Sequence, residues 1–259
     1  MASRAEQKAA ARAAREAAHR ELNAAQARRM RLIWLGGIVA AAALVIVIVA
    51  VAVSGGGSTS QGSAPSKAAV VPLLKGIPQN GNTLGSAKAP VTVTEFGDLV
   101  CPVCQDFALG SEQQLIANDV RSGKVKLVYR GLETASSTAN AGEYIASQVA
   151  ARAAGLQNLE WNFILLWYHE QGSETTPYVT DSYMQNLAQQ IKGLNLTTWQ
   201  SDRNNQALSS LVNGDLQAAN GLGFTETPSI TIAGPKGSAK PIVGVPSYSQ
   251  LEAEVKSVS

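Results

Sequence analysis

The hydrophobic and polar positions of this chain fall into three regimes. Leu32–Val53 is a run of 22 residues without a charge, and Trp34 carries its one hydrogen-bonding side chain. As a helix rising 1.5 Å per residue it would extend about 33 Å, enough for the hydrocarbon core of a bilayer. Ser54 to Ala69 is rich in Gly and Ser and has no periodicity. From residue 70 onward short alternating runs and longer helical stretches follow one another. Val91-Thr-Val-Thr-Glu-Phe96 and Lys124-Val-Lys-Leu-Val-Tyr129 alternate with β-branched residues and predict strands. Cys104 to about Val120 reads as a helix, and Ala135 to about Ala219 is mostly helical. Thr180 predicts one helix start in that block, and Thr197 with Gln200 predicts another through a capping box. Ser229–Ile232 and Pro241–Val245 predict short strands around a Gly/Pro turn from Ala233 to Gly237. Ser247 with Gln250 opens a final helix to about Lys256. The order is strand, helix, strand, helical block, strand, strand, helix, which predicts an α/β domain with a helical insertion over about 135–220.

Charge sharpens the division. Residues 1–31 hold eight Lys/Arg against three Glu, and the remaining 228 residues hold thirteen basic against sixteen acidic. The folded unit therefore has no basic excess, and nucleic acid is not an expected partner. Residues 1–31 predict a basic cytoplasmic arm. Residues 32–53 predict a retained transmembrane signal-anchor, because the run exceeds the apolar core of a cleaved signal peptide. Arg28, Arg29 and Arg31 flank its start and Ser54 to Ser58 are uncharged, so the positive-inside rule places residues 54–259 outside the cytoplasm. Residues 54–69 predict a flexible linker with an r.m.s. reach of roughly 20–25 Å. Residues 70–259 are left for one folded domain.

The chain has two Cys, both in Cys101-Pro102-Val103-Cys104, directly after a predicted strand and opening a predicted helix. A helix amino terminus offers unpaired N–H groups and partial positive charge, which favour a thiolate. The first Cys of such a pair sits where its sulfur can be reached; the second lies one turn in and is shielded. Pro102 suits the first turn, where its missing N–H has no helical partner. The chemistry this permits is thiol–disulfide exchange through a mixed disulfide resolved by the second thiol. A purely structural disulfide would close too small a loop to stabilise much. Half a zinc site lacks a second Cys pair or a suitable His, and no metal is expected.

The stretch Gly76–Gly85 (GIPQNGNTLG), then Ala89–Cys104 (APVTVTEFGDLVCPVC), resembles the DsbA-like branch of the thioredoxin superfamily, exported thiol–disulfide oxidoreductases. The likeness extends to Trp161–His169 (WNFILLWYH) and to Ala219–Ser229 (ANGLGFTETPS). It implies a thioredoxin fold with a helical insertion, preceded here by the single transmembrane helix. It implies Cys101 as the nucleophilic cysteine, Cys104 as the resolving one, and Glu95 as a buried acid exchanging a proton with Cys104. Parity within the alternating run also puts Val91, Val93 and Glu95 on one face. Pro102 and Val103 form the active-site loop. Thr227-Pro228 is similar to the family's cis-proline loop, whose first residue binds an extended substrate segment. Val103 supplies no positive charge. Glu226 and Asp98 would bring negative charge near Cys101, raising its pKa and making the disulfide less oxidising.

The resemblance further implies reduced exported proteins as substrates, and a membrane partner of the DsbB or vitamin K epoxide reductase type that restores the disulfide. The Cys101–Cys104 disulfide is the redox group, and no other cofactor is expected. A reductase or isomerase of the same fold, and a binding or sensor module with an inert disulfide, remain alternatives. Trp161, Phe163, Trp167 and Tyr168 lie at helical spacing and are read as core or groove wall; His169 is read as a surface or helix-end residue.

Overall fold

The computed structural model describes residues 70–137 and 142–259. The expected arm, signal-anchor and linker over residues 1–69 lie outside the described residues, and among those described no helix is long and apolar enough to cross a membrane.

The sheet is built around β3 (Val91–Gly97). Its core-facing residues Val91, Val93 and Glu95 are all fully buried, the period-2 placement that the alternation predicts. β4 (Val125–Gly131) pairs with β3 in parallel from Val91↔Val125 to Gly97↔Gly131. β5 (Ser229–Gly234) pairs with its other side antiparallel, with Phe96 opposite Ser229. Short strands complete the edges: β1 (Gln79–Asn80) and β2 (Thr83–Leu84) beyond β4, β6 (Gly237–Ser238) and β7 (Ile242–Val243) beyond β5. Parallel pairing of β3 and β4 requires a crossover, supplied by the helix that follows β3. The result is a thioredoxin-like α/β fold.

That crossover is less regular than a single helix from Cys104. α2 runs Pro102–Leu109, after a short α1 at Val70–Leu74. Gly110 then breaks it, with backbone angles of −110° and −107°. A Cβ there would lie 2.6 Å from the Asp106 carbonyl oxygen, so the break requires glycine. α3 (Ser111–Leu115) restarts and ends in a π-helical turn over Ile116–Val120.

Between β4 and β5 lies the helical insertion. A 3₁₀ turn at Ala135–Ser137 leads to α4 (Glu143–Gly155), α5 (Glu160–His169), α6 (Asp181–Gln189), α7 (Leu196–Asp202) and α8 (Gln206–Gly221). Thr180 caps α6 through its side chain, accepting from Tyr183 N. The next expected start is corrected: Asn195, not Thr197, caps α7, accepting from Thr198 N at 3.0 Å. Asn reaches the first-turn N–H groups as well as Thr does and lies two residues earlier. α9 (Tyr248–Val258) closes the chain with Ser247 as its cap.

Trp161, Phe163, Trp167 and Tyr168 are fully buried, so they are core rather than groove wall. Phe163 packs at 5.9 Å from both Trp167 and Trp199. Trp161 and Trp199 bury their indole N–H groups against the carbonyls of Asn82 and Ala150, which removes the desolvation cost that an unpaired N–H would carry. On the other face of the sheet a smaller cluster joins Phe96, Leu132, Ala219 and Phe224. A buried ion pair network ties the insertion to β4: Asp215 of α8 meets Arg130 Nε at 2.7 Å and also Arg152 of α4, which reaches Glu160 at 3.2 Å.

Candidate active site

The carboxyl ends of β3 and β4, the start of α2 and the loop before β5 converge on the cysteines. Cys101 is the residue preceding α2, with extended backbone, and Pro102 occupies the first helical turn. Val103 is exposed while Cys104, one turn in, is fully buried. Cys101 keeps 6% of its surface open. Access is therefore narrower than the helix-mouth position alone suggests. Both cysteines are thiols here.

The two thiols are driven in opposite directions. The neighbouring Cys104 thiol, the Thr227 hydroxyl and the backbone N–H groups of Val103 and Cys104 favour the Cys101 thiolate. Together they outweigh burial and bring its pKa down to about 6 from an ordinary 9. Cys104 is pushed well above 9, first by burial, then by its bond to Cys101 and by negative charge on Cys101 and Glu95.

Thr227-Pro228 is a cis peptide bond, and the Cys101 thiol lies 3.8 Å from the Thr227 carbonyl oxygen. The Thr227 hydroxyl is fixed by Thr134 Oγ1 at 2.7 Å. Glu95 is fully buried with its pKa raised to about 7, mainly by burial. Gly97 makes room for it, since a Cβ there would come within 2.9 Å of Glu95 Oε1.

Two expected modulators take other roles. Asp98 is buried and occupied by donors: Val100 N (3.0 Å), Thr134 N (2.8 Å), Ser136 N (2.9 Å) and Ser136 Oγ (2.6 Å). It pins the loop after β4 against the end of β3, and those bonds absorb its charge. Glu226 points to solvent, where its charge is screened. Neither is among the leading influences on Cys101, whose net shift is downward, as its place at the helix start predicts; the expected raising by these two carboxylates is not among its causes.

Sequence reasoning missed several residues. Gln171 Nε2 holds the Leu99 and Cys101 carbonyls at 2.7 and 3.1 Å, and Gln105 reaches from α2 to the Tyr168 carbonyl at 2.6 Å. Glu112 of α3 is fully buried beside Glu95. Its spacing was a usable signal, because Cys104, Ala108, Glu112 and Leu115 recur at helical intervals. No group of His, Cys, Asp and Glu able to hold a metal occurs among the described residues.

Residues 79–242 match the family model described as Thioredoxin, and the chain belongs to that family. Among curated relatives, the probable disulfide bond formation protein D of Bacillus anthracis is 26% identical over 157 residues, 59% of this chain and 69% of that protein. Among solved structures, oxidised BdbD from Bacillus subtilis superposes with a TM-score of 0.59 at 20% identity, over 70% of this chain and 96% of its own. DsbA2 of Pseudomonas aeruginosa gives 0.55 at 21% identity, over 71% and 97%. With the paired cysteines at the helix start, these likenesses make the chain a DsbA-like thiol–disulfide oxidoreductase.

Proposed function

We propose that the protein works outside the cytoplasm as an oxidase, passing its Cys101–Cys104 disulfide to reduced cysteines of newly exported proteins. A client thiolate attacks Cys101 Sγ, and Cys104 leaves with the electron pair and takes up a proton. A second client thiolate then attacks the client sulfur and expels Cys101 as a thiolate. The client dithiol is thereby oxidised, the Cys101–Cys104 disulfide gains two electrons, and no bound cofactor is needed.

The observation that carries the direction of flow is the split between the thiols. With Cys101 held near 6 and Cys104 pushed above its ordinary range, the last step expels a good leaving group and the reduced form is favoured at neutral pH. A stabilised reduced form is an oxidising disulfide. Val103 and, on the strand beside Pro228, Val243 are exposed, with Val245 close by. They give unfolded clients an apolar approach to the sulfur, while Thr227 lies in position to bind an extended segment. In this reading the apolar segment 32–53 anchors the chain, residues 1–31 stay in the cytoplasm, and a membrane protein of the DsbB or vitamin K epoxide reductase type restores the disulfide.

Equilibration with glutathione tests it. A potential above roughly −200 mV, with oxidative refolding of a reduced test protein, is the expected result. A potential near that of thioredoxin, about −270 mV, would assign the chain to reduction instead. Cys104→Ser should accumulate mixed disulfides through Cys101 in cell extracts; none would mean an inert disulfide.

A further inference from the structure

Beneath the cysteines β3 and α3 each turn one carboxyl group inward. Glu95 and Glu112 are both fully buried. None of their four carboxyl oxygens accepts a hydrogen bond from an amide, a hydroxyl or a cationic side chain among the described residues. What faces each is the other, close enough for one carboxyl to shift the other's ionisation and to bond to it once a proton is shared. Two carboxylates have four acceptors and no donor, so they cannot bond to each other; a single shared proton lets them. Stripping water from two such groups and leaving both ionised would cost far more than keeping that proton.

We propose that Glu95 and Glu112 act as one proton-holding unit under the Cys101–Cys104 pair, in which Glu112 is a positioning residue that governs when Glu95 gives up its proton to the departing Cys104 sulfur. The proposal rests on the exchange reaction above and adds to it a second acid. The titratable groups around the pair are Cys101 and Cys104 at the start of α2, Tyr129 from β4 and Tyr168 from α5. Both tyrosines are pushed well above 10 by burial and stay neutral. Cys101 lies near 6 as a thiol, but while it is held in the disulfide or the mixed disulfide it does not titrate, which leaves the carboxyl pair as the group beside Cys104 that changes charge near neutrality in that step. When the S–S bond breaks, the electron pair stays on Cys104 Sγ. The proton moves from the pair to that sulfur, and solvent later restores it to the pair. Glu112 matters because its hydrogen bond favours the ionised form of Glu95. Without it, burial alone would hold the proton to higher pH.

The test is the pH profile for reduction of the disulfide in the full chain by dithiothreitol, with the rate divided by the thiolate concentration. For the unmodified protein the rate should fall as pH rises through about 7, where Glu95 loses its proton. Glu95→Gln should abolish that fall. Glu112→Leu should displace it upward by about one pH unit, the scale of one hydrogen bond to a charged group. Glu112→Gln, whose amide can donate to Glu95, should return it to near 7. A Glu112→Leu profile that overlays the unmodified one overturns the proposal, as does a Glu112→Gln profile displaced like Glu112→Leu. Should Glu112→Leu fail to fold, carbon-13 NMR of the glutamate carboxyls in the reduced, unmodified protein decides. Two buried carboxyls, one titrating near 7 and the other also well above the ordinary 4.5, support the pair; either one titrating at 4–5 refutes it. If the disulfide proves inert to thiols, the exchange reading fails, while the NMR titration still decides the pair.

Discussion

At the scale of single residues, the ionisation of Cys101 depends on a few donors, of which Thr227 is the most readily removed. Its hydroxyl bonds to the Cys101 sulfur and is itself held by Thr134 Oγ1, so it is oriented before the thiolate forms. Thr134 Oγ1 lies 2.7 Å from the Thr227 hydroxyl and 3.4 Å from Asp98 Oδ2, so the shorter contact is the one to Thr227. Thr227→Val keeps the shape and removes the donor. The midpoint for alkylation of Cys101, expected near pH 6 in the unmodified protein, should rise by about one unit, since a hydrogen bond to a charged group contributes roughly 1.5–3 kcal/mol and neighbouring donors compensate in part. Iodoacetamide rates measured from pH 4 to 9 check this, and an unchanged midpoint would remove Thr227 from the set. Glu226→Gly, which sequence reasoning expects to lower the same pKa, should move it far less, because the carboxylate stands in water.

At the scale of elements, the strands and the redox pair were legible in the sequence, because period-2 alternation and a Cys pair at a strand–helix junction are local patterns with one physical reading. Glu95 could be placed on the buried face by parity with Val91 and Val93. What escaped depends on contacts distant in sequence. Asp98 reads as a free charge until the loop holding Thr134 and Ser136 folds back onto it. The break at Gly110 and the π turn at Ile116–Val120 lie inside a pattern that continues smoothly through them. The two-residue strands β1 and β2 are too short to show a period. The start of α7 shows competition between two local signals, and it can be measured. Asn195→Ala should destabilise the domain by about 1 kcal/mol through loss of the cap, whereas Thr197→Ala should change it by no more than a few tenths. Urea unfolding of the two variants decides which residue begins the helix.

For the whole molecule, the opposed shifts of Cys101 and Glu95 make stability depend on pH differently in the two redox states. Cys101 is lowered from 9 to about 6 by folding, so in the reduced form the native state holds fewer protons than the unfolded chain between those values. Stability from this thiolate is complete above about 9 and is lost as pH falls through about 6. Glu95 is raised from 4.5 to about 7, so its contribution has the opposite sense: present below 4.5 and lost as pH rises through about 7. Oxidation removes the thiol titration and leaves the carboxyl, so to first order subtracting the two forms cancels Glu95 and isolates the cysteines. Thermal unfolding of reduced and oxidised protein should therefore give a Tm difference, reduced minus oxidised, that climbs between pH 6 and 9. Beyond 9 the Cys101 contribution is complete and the difference should turn down, because Cys104, pushed well above that value, keeps its proton in the native state while the unfolded chain loses it. The same cycle links stability to redox: whatever free energy the reduced form gains on folding, relative to the oxidised form, the disulfide gains as oxidising power. A Tm difference that stays flat across this range would mean that folding leaves the Cys101 thiol unchanged, and the driving force for passing the disulfide onward would then have to come from the client.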